Sequence, residues 1–254
     1  MTTSNPLFSE EMLGWTSKVA VSKTGLRMTI RGTVDRALVL LLCVITGALC
    51  AWEMVSAGRY FELVKWLGLF CLVSGFALSL VTYIRKQYSP FSAPLYSLLE
   101  GYLLGVISAR LEFRYPGIAA QAVLLTFGTC LACLLAYRSG IVHVTSGLRR
   151  GVIIGTWGLG FLYLMPLALH VFQISLPIKL SYSWLSFAVN AVAVLLATMN
   201  LCLDFDFIES QSKRGVPKYM EWYAAFGLMA TLIWLYLEIL WRVSKSRDQS
   251  RATE

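Results

Sequence analysis

Charged residues are scarce in this chain of 254 residues: they make up 14% of it, whereas hydrophobic residues make up 57%. A soluble domain carries about 25% charged residues. The mean hydropathy of +0.65 is correspondingly high. A soluble protein of this length could not keep so much apolar surface away from water, so we expect lipid to be the solvent and the chain to be an integral membrane protein.

Histidine is also scarce, and cysteine is missing from the loops. The two histidines, His143 and His170, are isolated, and we assign them no ligand role. All six cysteines fall inside apolar runs, so we expect no disulfide framework. Cys130-x-x-Cys133 has the spacing of a redox or metal motif, but no histidine clusters with it, and we interpret both residues as packing residues. We therefore expect no cofactor.

Motifs of the common hydrolases are missing as well. The sequence contains no Gly-x-Ser-x-Gly elbow and no His-Glu-x-x-His metal pair, so we do not expect an enzyme. The formal net charge of +8 does not indicate nucleic acid, because Lys and Arg gather beside apolar spans. That placement is how membrane proteins fix their orientation. The lipid bilayer is the partner that this pattern predicts.

What the chain does contain is a series of apolar segments, each near the ~20 residues that a spanning helix needs. We predict an all-α membrane protein, a bundle of seven transmembrane helices, with a polar basic tail over 1–34, the helical domain over 35–243 and a polar tail over 244–254. The segments cover 36–56, 63–84, 92–109, 117–137, 150–172, 182–208 and 219–242.

The orientation follows from the basic residues. The loops favour an N-terminus on the inner side of the membrane, whereas the basic C-terminal tail argues against it. Six spans plus one re-entrant segment would place both tails inside and is the alternative. Two small-residue spacings, Gly101-x-x-x-Gly105 and Gly151-x-x-x-Gly155, predict close helix packing.

Acidic residues inside the predicted spans are the candidates for function. A charged side chain at the centre of a bilayer costs about 2.5–3.5 kcal/mol on insertion scales, so each one needs a reason. Asp204 and Asp206 point about 200° apart on the sixth helix, and Asp204 lies deeper. Asp206 shares a face with Glu209 near the headgroups. The ion- or proton-sensing candidates are Asp204, Asp206, Glu100, Glu221 and Glu238.

Depth in the membrane separates the acids of the seventh helix. Glu221 lies near its start, level with the end of the sixth helix, and depth favours it as the partner of Asp204. Glu238 lies roughly 25 Å further along and could pair with Arg242. Glu100 is near the middle of the third helix, with no basic residue beside it on that helix. It therefore needs a partner from another helix, a cation or a proton.

Two carboxylates close together in a low-dielectric bundle cannot both ionise cheaply, so such a pair takes up a proton or a cation more readily than one residue alone. Carboxylates with backbone carbonyls are also ligands that Ca²⁺ prefers. Asp204 and Glu100 are the best candidates for transient Ca²⁺ contact. The residues allow a pH-sensitive cation site or a proton relay.

Several separated segments resemble the bacterial branch of the Bax inhibitor-1 family, also called the transmembrane Bax-inhibitor-motif superfamily. The resemblance covers nearly the whole chain after residue 27. It is carried by the segments Met28–Asp35, Leu98–Gly105, Tyr115–Gly128, Asn200–Glu209 and Lys218–Leu240.

The resemblance implies a seven-helix fold whose last helix is surrounded by the other six, in a bacterial inner membrane. It also implies a pH-sensitive Ca²⁺ leak gated by a pair of aspartates on helices six and seven. Asp204 matches the first aspartate, whereas the second falls near Thr231, which is not acidic. The second acid must then be Glu221, Glu238 or Glu100, or the paired latch is absent.

Two functions remain open at this point. The first is a multi-pass protein resembling the family's pH-sensitive Ca²⁺ leak channels, gated by protonation of buried acids. The second is a non-conducting membrane protein that interacts with other membrane proteins and modulates a membrane protease or a stress response. The missing second aspartate and the basic tails motivate the second hypothesis.

Overall fold

The computed structural model describes residues 27–58, 61–171 and 184–252, without the side chains of 61, 166–171, 184–187 and 250–252. These residues form seven α-helices, one for each predicted apolar segment, and a short 3-10 turn at Lys86–Tyr88. The helices are α1 (Ile30–Ser56), α2 (Phe61–Ile84), α3 (Ser89–Arg114), α4 (Ile118–Arg138), α5 (Ser146–Val171), α6 (Trp184–Arg214) and α7 (Met220–Ala252).

Five of these helices are long and apolar enough to cross a membrane. The spans lie within α1, α2, α4, α6 and α7. The prediction of an all-α membrane protein is therefore confirmed. Helix α3 is also 26 residues long, but it carries charges such as Glu100, Arg110 and Glu112. Residues 1–26 of the predicted N-terminal tail lie outside the described residues, and α7 continues to Ala252.

Helix α7 lies at the centre of the bundle, as predicted. In the most apolar stretch of α7, 56% of the residues are buried inside the protein, whereas the corresponding share in the other four spans is 17–28%. It packs against α1, α3, α4 and α6, and Tyr163 of α5 donates a hydrogen bond to its Glu238. A side chain on α7 can therefore contact groups from most of the other helices. The acidic residues of α7 are candidates for a functional site for this reason.

Helices α1 and α3 cross with their backbones in contact. A Cβ atom added to Gly101 would lie 2.2 Å from the carbonyl oxygen of Val44, and one added to Gly47 would lie 2.2 Å from the carbonyl oxygen of Leu98. A Cβ atom added to Gly105, one turn further along α3, would lie 2.4 Å from the carbonyl oxygen of Ala48 of α1. The glycines let the helices approach this closely because they have no side chain. The Gly101-x-x-x-Gly105 prediction is thus confirmed.

The second small-residue spacing differs from the first. A Cβ atom added to Gly155 would lie 2.9 Å from Leu196 of α6, so this glycine borders a neighbouring helix. A Cβ atom added to Gly151 would meet nothing within 4 Å. The pair therefore does not act as one packing motif in the described structure.

The start of α1 is tied to the turn between α6 and α7. The backbone N–H of Met28 donates to the carbonyl of Val216 at 2.8 Å, and its side chain is buried against Ile208 and Met220. Gly215 has a φ of +65°, which a glycine adopts at little cost. This connection fixes α1 at the end of the bundle where α6 ends and α7 begins.

Candidate functional site

Asp204 lies on the face of α6 that packs against α7. A Cβ atom added to Gly227 of α7 would lie 3.8 Å from its Oδ1 atom, an ordinary contact distance. Its Oδ2 atom is buried and accepts no hydrogen bond from the described residues. A buried polar oxygen without a partner is costly, because it has lost water and gained no donor. Asp204 is therefore a carboxylate with unmet bonding capacity at the central helix.

Two other polar side chains face Asp204. Thr231 of α7 is within reach of its carboxylate, and its hydroxyl donates to the carbonyl of Gly227 at 3.2 Å. Cys133 of α4 also lies near Asp204, and its thiol donates to the carbonyl of Thr198 at 3.4 Å. The side chain at the position where the resemblance implies a second aspartate thus faces Asp204, but it is a hydroxyl.

Glu221 is held by α1 and not by Asp204, which corrects the partnership that depth favoured. Its Oε1 atom accepts hydrogen bonds from the backbone N–H and the hydroxyl of Thr29, both at 3.0 Å. Its Oε2 atom is 3.9 Å from the guanidinium of Arg36. A Cβ atom added to Gly32 would lie 2.2 Å from Oε1. The positive end of the α1 dipole and its unpaired N–H groups explain why the carboxylate turns this way.

Glu238 is buried in the middle of α7 and is held by neutral donors. The hydroxyl of Tyr163 donates to its two oxygens at 3.0 and 3.2 Å. The indole N–H of Trp234 donates to Oε1 at 3.0 Å. These contacts join α5 to α7, and the proposed pairing with Arg242 is not among them.

Glu100 is half-buried in α3 and faces α2. A Cβ atom added to Gly75 would lie 3.0 Å from its Oε1 atom, and Cys71 of α2 is a further neighbour. The described neighbours of Asp204 lie on α4 and α7 instead. The structure therefore places the two candidates for Ca²⁺ contact against different helices, because α3 packs mainly between α1 and α2.

Asp206 and Glu209 lie at the rim of the bundle, as their shared face predicts. Asp206 forms an ion pair with Arg149 of α5 at 2.5 Å. Glu209 accepts a hydrogen bond from Tyr137 of α4 at 2.6 Å and pairs with Lys213 at 2.6 Å. Exposed pairs of this kind contribute little and need no functional explanation.

The candidates therefore form separate sites and not one acidic cluster. Among the described residues, no group of three or more His, Cys, Asp or Glu side chains could hold a metal ion. Asp204 combines burial with a missing hydrogen-bond partner, whereas Asp206 has an ion pair. Of the two carboxylates on this stretch of α6, Asp204 is thus the better candidate for proton or cation contact.

Sequence reasoning missed the partners of the acids, although one signal was available. Thr29 caps α1, its side chain accepting from the N–H of Gly32, and a threonine before an apolar helix is a recognised N-cap signal. This N-cap signal places the start of the helix at Ile30. Tyr163 carried no such signal, because its contact with Glu238 joins residues 75 positions apart.

These features define a multi-pass helical membrane protein whose central last helix packs against a buried carboxylate of the sixth. A family model described as Bax inhibitor 1 like matches residues 5–248, nearly the whole chain. The protein belongs to this family, which confirms the resemblance carried by its motifs. The comparison with curated proteins and the comparison with solved structures each gave no match.

Proposed function

We propose that this protein is a cation leak of the membrane in which it resides, with Ca²⁺ as the favoured ion and Asp204 as its proton-sensitive gate. The observation that carries the proposal is the buried Oδ2 atom of Asp204, which has no hydrogen-bond partner among the described residues. A proton or a cation would relieve that cost. The proposal includes the inner membrane of a bacterial cell as its location and no enzymatic activity.

The position of Asp204 supports coupling to the helices. It faces α7, which packs against much of the bundle. At this point α7 carries Gly227, and a Cβ atom added there would lie at an ordinary contact distance from Asp204. A change in the charge of Asp204 changes the balance of forces between α6 and the central helix. A charge change that biases a packed element is a general form of molecular switch.

The test is Ca²⁺ flux into proteoliposomes that carry the full chain, followed with an enclosed Ca²⁺ indicator across about pH 5 to 8. We expect a leak that varies with pH and an Asp204→Asn variant whose leak no longer does, because its side chain stays neutral. Asp206→Asn is the matched control, since it makes the same chemical change two residues away in a rim ion pair. A leak equal to that of empty liposomes would refute the proposal.

A non-conducting protein that modulates a membrane protease or a stress response is the second candidate. It is favoured by the hydroxyl of Thr231, which stands opposite Asp204 where a gating pair would need a second carboxylate. Crosslinking in native membranes tests it, with a defined membrane-protein partner as the expected product. Recovery of the protein without any partner, together with a pH-dependent leak, would decide for conduction.

A further inference from the structure

Helix α5 lies at the edge of the bundle and has two different surfaces. Among the described residues, its packing against other helices is mainly with α6. Its outer surface is apolar, and the side chains of Ile154, Trp157 and Phe161 there are 70–78% exposed. In a membrane such side chains contact lipid tails, which are as apolar as they are.

The inner surface of α5 carries a polar stripe, formed by Arg149, Thr156 and Tyr163. These residues are seven positions apart, which is nearly two full turns, so they lie one above the other along the helix. Each of them contacts a polar side chain of α6 or α7. The contacts are Arg149–Asp206 at 2.5 Å, Thr156–Asn200 at 2.9 Å and Tyr163–Glu238 at 3.0 Å. The polar stripe covers about 21 Å of the ~30 Å hydrocarbon core.

Contacts of this kind hold α5 less firmly than close packing would. Between helices in lipid a hydrogen bond contributes little, and apolar side chains are as well accommodated by lipid tails as by another helix. A Cβ atom added to Gly155 would meet the flexible end of Leu196 and not a backbone atom. Separation of α5 from α6 is therefore easier than separation of α1 from α3, whose backbones are in contact.

Separation of the two helices would draw water into the space between them. Thr156, Asn200 and Asp206 would lose their partners, and an unsatisfied polar group in hydrocarbon is costly. Water satisfies such groups, whereas lipid tails do not. Asn200 lies four residues before Asp204 on α6, so the water would come within one helical turn of Asp204.

We propose that α5 moves away from α6 and that the polar stripe then lines a water-filled path through the membrane beside Asp204. Thr156 is midway along the polar stripe, so its contact with Asn200 closes the path at the centre. Arg149 and Asp206 lie at the entrance, where their side chains are 48% and 27% exposed. The passage of ions along the path rests on the proposed function, whereas the movement of α5 and the entry of water do not.

The first test locks α5 to α6 in full-length protein whose six native cysteines are replaced by alanine. Thr156→Cys with Asn200→Cys places two thiols where the natural side chains are 2.9 Å apart. Oxidation with copper phenanthroline should join them and reduce the Ca²⁺ leak of proteoliposomes to that of empty liposomes, and dithiothreitol should restore the leak.

Thr82→Cys with Ser92→Cys is the matched control in the same background. These hydroxyls are 2.7 Å apart beside the short turn that already joins α2 to α3, so oxidation should leave the leak unchanged. A leak that persists while α5 is locked to α6 would overturn the path. If the reduced Thr156→Cys/Asn200→Cys protein does not leak or does not fold, the second test decides.

The second test detects water and does not depend on a leak. Thr156→Cys alone, in the same background, should react with a charged, membrane-impermeant methanethiosulfonate, because the reactive thiolate forms in water and not in lipid. Trp157→Cys is the control, since this neighbouring side chain lies on the lipid-facing surface and should not react. Equal reaction at both positions, or none at Thr156→Cys, would overturn the movement of α5. Reaction at Thr156→Cys alone, in a protein without a leak, would support the movement and refute the leak.

Discussion

The α1–α3 pair and the α6–α7 pair show two ways in which helices meet in this bundle. In the first, Gly47 and Gly101 bring the backbones together so closely that an added Cβ atom would lie 2.2 Å from a carbonyl oxygen of the other helix. In the second, Gly227 leaves 3.8 Å to an oxygen of Asp204, whose Oδ2 atom has no hydrogen bond. One interface is tightly packed, and the other contains an unsatisfied polar group.

The difference indicates which of the two helix pairs can gain free energy by rearranging. Close-packed backbones have one arrangement of low energy, because a small shift produces overlap. An interface with an unsatisfied carboxylate gains free energy from any proton, ion or helix shift that satisfies it. We infer that α1 and α3 keep one arrangement and form the fixed pair. Helices α6 and α7 form the responsive pair, which rearranges when a proton or an ion binds.

The largest effect is expected for Gly101→Ala at the α1–α3 crossing. The new methyl group would overlap the backbone at Val44, which cannot move aside as a flexible side chain can. We expect a loss of about 3 kcal/mol in the free energy of unfolding. The measurement is unfolding of the purified protein in mixed micelles with increasing denaturing detergent.

Gly128→Ala in α4 is the matched control for this variant. An added Cβ atom there meets nothing within 4 Å, so the substitution should be neutral or stabilising by up to about 1 kcal/mol from helix propensity. Equal losses at Gly101 and Gly128 would show that the crossing is not tightly packed. The proposed difference between the fixed pair and the responsive pair would then be wrong.

A smaller loss is expected for Glu221→Gln, which tests the anchor between α1 and α7. The amide keeps an acceptor for Thr29 but removes the charge that faces the α1 N-terminus and Arg36. We expect a loss of about 2 kcal/mol in the free energy of unfolding. Glu209→Gln is the control at the exposed rim, where the loss should stay below about 1 kcal/mol. A neutral result at Glu221 would mean that its charge does not hold α1 in place.

The sequence predicted the helices well, because span length and hydropathy are local properties. Each of the seven predicted segments corresponds to one helix, and the ends differ by at most six residues except at the C-terminus of α7, which lies ten residues beyond its predicted end. That end continues as a helix to Ala252, in a polar stretch without the apolar pattern that marks a span. The faces of Asp204 and Asp206 also followed from helical periodicity.

The partners of the acids could not be predicted in the same way. Thr29 and Glu221 are separated by 192 positions, and their contact depends on how the start of α1 meets the α6–α7 turn. Depth along a helix gives the level of a side chain but not its direction around the axis. Depth therefore favours Asp204 as the partner of Glu221, whereas in the structure the carboxylate is bound by Thr29 at the positive end of α1.

The smallest change in stability is expected for Gly227→Ala, next to Asp204. A Cβ atom would sit 3.8 Å from Oδ1, a normal contact, so the free energy of unfolding should change by less than about 1 kcal/mol. The methyl group would nevertheless fill the space beside the carboxylate and hinder a proton carrier or cation from reaching it. In proteoliposomes the variant should therefore reduce Ca²⁺ flux while it leaves stability nearly unchanged. Gly101→Ala cannot separate flux from stability in this way, because it is expected to destabilise the protein. A large loss of stability would show that α6 and α7 are packed as tightly as α1 and α3, and the space beside Asp204 would then be too small for the gating that we propose.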